Sequence, residues 1–247
     1  MSARAWRWEA VGAASLAAAA LAPAADPDLW WHLSAGRVLL EDGVLPRADW
    51  LSWTLHGAPW QDFEWLAQGL FAAAHLAFGL TGLWALKVLL LATAGAGVLA
   101  LSRRAALAAP ARAAALALFG AGVLPRADIR AELFSLVFFV WLAAALEALR
   151  AEGWPEGRLR RALVGTAALF ALWANLHAGF VMGLGLAGAY VLNAAAAGRR
   201  SWLVLPVVGA AATLLNPYGP GVWSTLWEHG RDSGALRGLI LEWGPAL

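Results

Sequence analysis

The chain has 247 residues, 61% of them hydrophobic and 14% charged, with a mean hydropathy of +0.63. That composition lies outside the range of ordinary soluble domains and predicts an integral membrane protein. The net charge is only +2 and the Arg residues fall in short clusters between apolar runs, which argues against a nucleic-acid partner; the absence of Cys excludes disulfides, thiolate metal sites and cysteine nucleophiles.

Taken in chain order, Arg4 and Arg7 precede an apolar run over 8–25, the first predicted span. The same stretch, ending in Ala22-Pro-Ala24, also fits a secretory signal with a small-residue cleavage site. Further runs over 83–101, 106–123, 131–149, 162–174, 178–196 and 202–216 read as spans of a bilayer core about 30 Å thick; the run 162–174 is short, and the Asn175-Leu-His-Ala-Gly179 break after it is expected at a membrane face or in a protein-lined cavity. Trp65 to Phe78 is shorter and contains Gln68 and His75, so it is expected to lie along the interface. Arg103, Arg104, Arg112, Arg150, Arg158, Arg160, Arg161, Arg199 and Arg200 then join Arg4 and Arg7 on the cytoplasmic side, as retention of positive charge requires.

The sequence thus predicts an all-α integral membrane fold of about seven transmembrane helices, N-terminus cytoplasmic, forming a single membrane domain over 1–247. A long first outer loop, 26–82, carries the interfacial helix 65–78, and an outer C-terminal segment, 217–247, reads as incomplete. Trp30, Trp31, Trp50, Trp53, Trp60 and Trp65 in that loop are expected to be interfacial anchors.

The densest chemistry is Asp26-Pro-Asp-Leu-Trp-Trp-His32. Asp26 and Asp28 face one side of an extended segment but diverge on a helix, and Pro27 disfavours the helical conformation at Asp26. A shared site for both acids competes with simple capping of a helix starting near Leu29, for which Asp28 is the expected cap. His32, one turn after Asp28, is placed to join the acids as a metal ligand or to orient a phosphate, or else is an interfacial hydrogen-bonder beside Trp31. Asp49 and Glu64 follow turn-like stretches and are either site residues or turn and helix-start residues. Arg126 and Arg130 are suited to bidentate phosphate binding, or to pairing with Asp128 and Glu132. Asn175 and His177 interrupt an apolar stretch, as functional groups or as packing glue. No P-loop or dinucleotide fingerprint is present in a strand-turn-helix context.

The motifs Asp26-Pro-Asp-Leu-Trp-Trp-His-Leu-x-x-Gly36, Gly43-x-x-Pro46-x-x-Asp49-x-x-Ser52 and Gly57-x-Pro-Trp60-x-x-Phe-Glu64-Trp65 resemble a family of bacterial multi-pass proteins similar to the GT-C glycosyltransferases, as do Arg126 to Ser135, Trp173-Ala-Asn-Leu-His-Ala-Gly179 and Leu215-Asn-Pro-Tyr-Gly219. The resemblance implies a GT-C-like core in the bacterial inner membrane that transfers a sugar from a polyprenyl-phosphate donor to an acceptor on the periplasmic face. It implies that Asp26 or Asp28 is the base, with Asp26 preferred since Asp28 is the expected cap. A divalent metal, Mg or Mn, would be held by Asp26 and Asp28. His32, Asp49, Glu64, Arg126, Arg130, Asn175 and His177 would bind substrate or phosphate. The expected partners are the lipid-linked sugar and membrane lipid, with no nucleic acid. The competing expectation is a non-enzymatic membrane module that binds lipid-linked glycan or a partner protein; a transporter is disfavoured by the scarcity of charge inside the spans.

Overall fold

The computed structural model describes residues 3–22 and 26–236. The cleavage site proposed at Ala24 and the end of the chain over 237–247 lie outside the described residues, as do the side chains of Arg4 and Arg7. The described chain is helical: α1 (Ala3–Leu21), α2 (Asp28–Asp42), α3 (Trp65–Arg104), α4 (Ala109–Val123), α5 (Glu132–Ala151), α6 (Glu156–Ala174), α7 (Phe180–Ala196), α8 (Val204–Ala212) and α9 (Gly221–Leu236). Short 3-10 turns, Leu124–Arg126 and Arg200–Leu203, follow α4 and precede α8.

The expectation of about seven spans is corrected. Among the described residues two helices, α3 and α5, are long and apolar enough to cross a membrane. The other predicted spans do not pass the same test. Phe180–Ala196 and Arg200–Ala212 stay below 18 residues. The physical reason is that Pro, Gly and charged residues end these helices sooner than the hydropathy runs suggest: α4 begins beside Pro110, α6 carries Arg158, Arg160 and Arg161 in its first turns, and α8 stops before Asn216. The multi-pass inner-membrane placement rested on that count and falls with it.

The helices form two packed groups joined by α5. In the first, α1 packs on α4, α2 on α3 and α3 on α5, around Leu29, Leu33, Phe71, Leu83, Leu91, Leu133 and Phe134. In the second, α5, α6, α7 and α8 enclose Trp154, Phe170, Trp173, Phe180 and Trp202. Phe138 on α5 packs against both groups. Not all of the apolar content is buried: Phe78, Leu89, Leu118, Val164, Met182 and Val207 remain exposed.

Two local features position the site. On α2, Leu29, His32, Leu33 and Gly36 fall on one helical face and are all buried. A Cβ at Gly36 would come within 2.1 Å of the Gln68 carbonyl oxygen, so Gly36 lets α2 lie directly on the backbone of α3 and carries His32 inward with it. The second feature is Gly79, whose φ of 62° and ψ of −149° break α3 into two segments. The break is sharp enough that a Cβ at Gly82 would stand 2.2 Å from the Ala74 carbonyl oxygen.

Candidate acid–imidazole site

Pro27 occupies the cap position of α2 and Asp28 is its first residue, so Asp28 does not cap the helix; Asp26, just ahead, accepts the Asp28 N–H on Oδ1 at 2.9 Å. Pro27 sits in the helical region, with φ −61° and ψ −27°, so the two aspartates do not lie on an extended segment. They nevertheless converge on one cation. Arg130, in the turn before α5, donates from Nε to Asp26 Oδ2, and its Nη2 lies 3.4 Å from Asp28 Oδ2. Asp26 is buried, while the Asp28 side chain is half exposed. Arg126 lies close by in the Leu124–Arg126 turn, exposed at the end of an apolar groove.

Glu64 precedes α3 and sits between two imidazoles. Its Oε2 faces His32 Nε2 at 3.9 Å and its Oε1 faces His177 Nε2 at 3.7 Å, with 16% of the Glu64 side chain exposed. Both separations exceed hydrogen-bonding distance. Burial raises the Glu64 carboxyl to about 8, helped by like-charge repulsion from Asp62, Glu132 and Asp28. Burial lowers both His32 and His177 to about 4, so at neutral pH the group holds a carboxylic acid and two uncharged rings. Asp62 is pushed up to about 6, mainly by burial, although its Oδ1 accepts a 2.7 Å hydrogen bond from Gln68 Nε2.

A short network fixes the tautomer of His177. Trp173 Nε1 donates to Ser135 Oγ at 2.7 Å, which leaves the Ser135 hydroxyl proton for His177 Nδ1, also at 2.7 Å. The Gly179 N–H donates to the same Nδ1 at 2.9 Å. A neutral ring whose Nδ1 accepts must carry its proton on Nε2, facing Glu64. A protonated nitrogen is not a metal donor. Consistent with this, no group of three or more His, Asp or Glu side chains among the described residues is arranged to hold a metal ion. Gly179 is required by close approach: an added Cβ would meet Ser135 Oγ at 2.3 Å and Ser135 Cβ at 2.7 Å. Gly179→Ala is therefore expected to cost about 1–3 kcal/mol and to separate Ser135 from His177. Thermal melting reads the first effect, and the His177 ring-nitrogen chemical shifts read the second.

The other predicted residues do different work. Asp49 accepts the Leu51 and Ser52 N–H groups and the Ser52 hydroxyl, which fold its turn and hold its carboxyl below the ordinary range. Asn175 donates from Nδ2 to the Ala171 and Leu215 carbonyls and accepts from Trp65 Nε1, so it ties the starts and ends of α3, α6 and α8 together. The structure thus groups Asp26, Asp28, His32, Glu64, Arg130 and His177, with Arg126 at the edge, and leaves Asp49 and Asn175 in structural turns. Ser135, Trp173, Gly179, Glu132 and Asp62 also enter the arrangement; Glu132 is weighed from the sequence only as a partner for the arginines, and Ser135, Trp173 and Gly179 only as ends of motifs, with no role at a site.

Two spaces meet at this point. A polar cavity of about 220 Å³ is lined by Asp28, Trp31, His32, Glu64, Arg130, Ala131, Glu132 and His177. A groove of about 560 Å³, walled by Phe119, Val123, Leu133, Leu136, Phe139, Val140, Trp173 and Met182, also includes Arg130, Glu132, Ser135 and His177.

No family model, no curated protein and no solved structure matches the chain. The resemblance to GT-C glycosyltransferases is therefore corrected, and what it implied goes with it. With two candidate spans in place of about seven and no metal-ligating cluster among the described residues, sugar transfer from a polyprenyl phosphate has no structural basis. The same holds for glycosyltransferase activity, for a membrane module that binds lipid-linked glycan, and for lipid-linked sugar and membrane lipid as partners.

Proposed function

We propose that the chain binds an amphipathic small molecule at a proton-exchanging site, with the polar end among Glu64, His32 and His177 and the apolar end in the groove walled by Leu136 and Phe139. The observation that carries this reading is the sharing of Arg130, Glu132 and His177 between the polar cavity and the apolar groove, which sets the two spaces side by side around the same side chains. Ligand sites of this size pair a mostly apolar wall with a few convergent polar groups. Perturbed titratable groups in such a cleft are the usual mark of function rather than of stability.

The protonation state supplies the chemistry. A neutral Glu64 at pH 7 gives up its proton to a ligand that brings a base, or to solvent when the ligand brings a positive charge, and the uncharged ring of His32 offers its unpartnered Nδ1 as a neighbouring acceptor. Ser135 extends the chain of donors into the groove through His177.

N-phenyl-1-naphthylamine, an uncharged fluorescent probe, tests this reading. It is expected to bind saturably to the wild-type chain and about tenfold more weakly to Leu136→Trp, which fills the groove. Its affinity is expected to change through a pH near 8 in the wild type and to be flat there in Glu64→Gln. Undiminished binding to Leu136→Trp, or a pH profile that Glu64→Gln leaves unaltered, would refute it.

A further inference from the structure

The charges around the cavity oppose an anion. Asp28 and His32 face Glu64 from α2, Glu132 from α5, Arg130 from the turn before α5, His177 from the connection between α6 and α7, and Asp62 from Glu64's own segment. Among the described residues Arg130 is the one cation lining this cavity, and Asp26 and Asp28 already engage it. Its charge is thereby more than balanced, leaving Glu132 to add further negative potential. The repulsion among these carboxylates is what a bound cation would relieve.

Two independent features point to a ligand of that kind. His32 is 5% exposed and lines the cavity, yet its Nδ1 has no hydrogen-bond partner among the described residues and its Nε2 stands 3.9 Å from Glu64. A buried polar atom left unpaired is costly, and a ligand N–H is a donor that an imidazole nitrogen accepts. Trp31 lines the same cavity and packs edge-on to Trp60 with ring centroids 5.8 Å apart. An indole face beside carboxylates attracts an ammonium group.

We infer that the cavity takes an organic cation, a primary or secondary ammonium carrying an apolar chain, and that its binding displaces the Glu64 proton into solvent. The inference rests on the binding space proposed above and adds the class of ligand. In the bound state the ammonium donates to the ionised Glu64 and to an imidazole nitrogen, while its chain lies against Leu136 and Phe139 in the groove. The Glu64 carboxylic acid becomes a carboxylate, one proton goes to solvent, and the ammonium keeps all of its own.

Titration calorimetry with n-octylamine, n-octanol and octanoate, in two buffers of different ionisation enthalpy at pH 7, tests this directly. The expected order is octylamine at least tenfold tighter than octanol, with octanoate weakest, and proton release for octylamine alone. Glu64→Gln is expected to abolish the proton release, and Glu132→Gln to weaken octylamine several-fold without changing octanol. Equal binding of octylamine and octanol that is lost in Leu136→Trp would refute the cation inference and leave the binding space standing. Tighter binding of octanoate would likewise refute the choice of charge alone. Failure of all three ligands to bind would refute both readings.

Discussion

Raising the pH from 6.5 to 8.5 is expected to lower the stability of the protein, and Glu64→Gln is expected to remove that loss. The sign follows from the protons held in each state. Glu64 is raised from its ordinary 4.5 to about 8, so the folded chain holds a proton that the unfolded chain releases between those values, and stability drains away as pH rises through that window. Asp62, raised from 3.8 to about 6, acts in the same direction at lower pH. His32 and His177 are lowered from 6.5 to about 4, so the unfolded chain binds the extra protons there, and stability is lost as pH falls from 6.5 toward 4. Between about pH 4.5 and 6 the two histidines are nearly offset by Glu64 and Asp62, so the profile is close to flat there, and above about 6.5 Glu64 acts alone and stability falls. The loss attributable to Glu64 between pH 6.5 and 8.5 is on the order of 2 kcal/mol. Thermal melts across pH 5–9 test it: a Glu64→Gln profile that still falls above pH 6.5 as steeply as the wild type would refute the assignment.

The second large effect is expected at Arg130. Arg130→Met leaves Asp26, whose side chain is 3% exposed, as a buried carboxylate without its guanidinium. Removing one partner of a buried ion pair costs about 3–5 kcal/mol, because the stranded charge keeps its desolvation penalty. The Arg130 side chain is 19% exposed, which places the expectation at the lower end of that range, about 3 kcal/mol. Asp26→Asn combined with Arg130→Met strands no charge and is expected to be more stable than Arg130→Met alone. Denaturant unfolding of the single and double variants measures the difference, and a double variant as unstable as the sum of the two singles would show that the pair is not coupled.

Parts of this arrangement were legible in the residues. Asp26, Asp28, His32, Glu64, Arg130 and His177 attracted attention because charged and imidazole side chains are rare in so apolar a chain, and the structure brings them to one place. What each of them does there was not legible. Local backbone rules make Asp28 the cap, yet Asp28 is the first residue of the helix and its N–H goes to the Asp26 carboxylate across Pro27, which adopts a helical conformation. Asp49 and Asn175 looked equally available, and each is used up by hydrogen bonds that only the folded chain supplies: Ser52 within the turn for Asp49, and Trp65 and Leu215 from distant elements for Asn175. Ser135 carried no signal, because a hydroxyl inside an apolar helix becomes meaningful only when an imidazole from another element lies 2.7 Å away.

The sequence by itself determined that the chain is helical and rich in apolar faces, since periodicity and composition are local properties written residue by residue. It did not determine how many helices are long enough to cross a membrane. Hydropathy sums over a window, whereas helix ends are set by Pro, Gly and the packing partners on either side, and among the described residues the count is two. Tertiary structure alone decided the electrostatics of the site. Whether Arg130 faces a phosphate or two aspartates, and whether Glu64 is ionised or neutral, depends on charges and burial contributed by α2, α5 and the connection between α6 and α7, which no local pattern brings together.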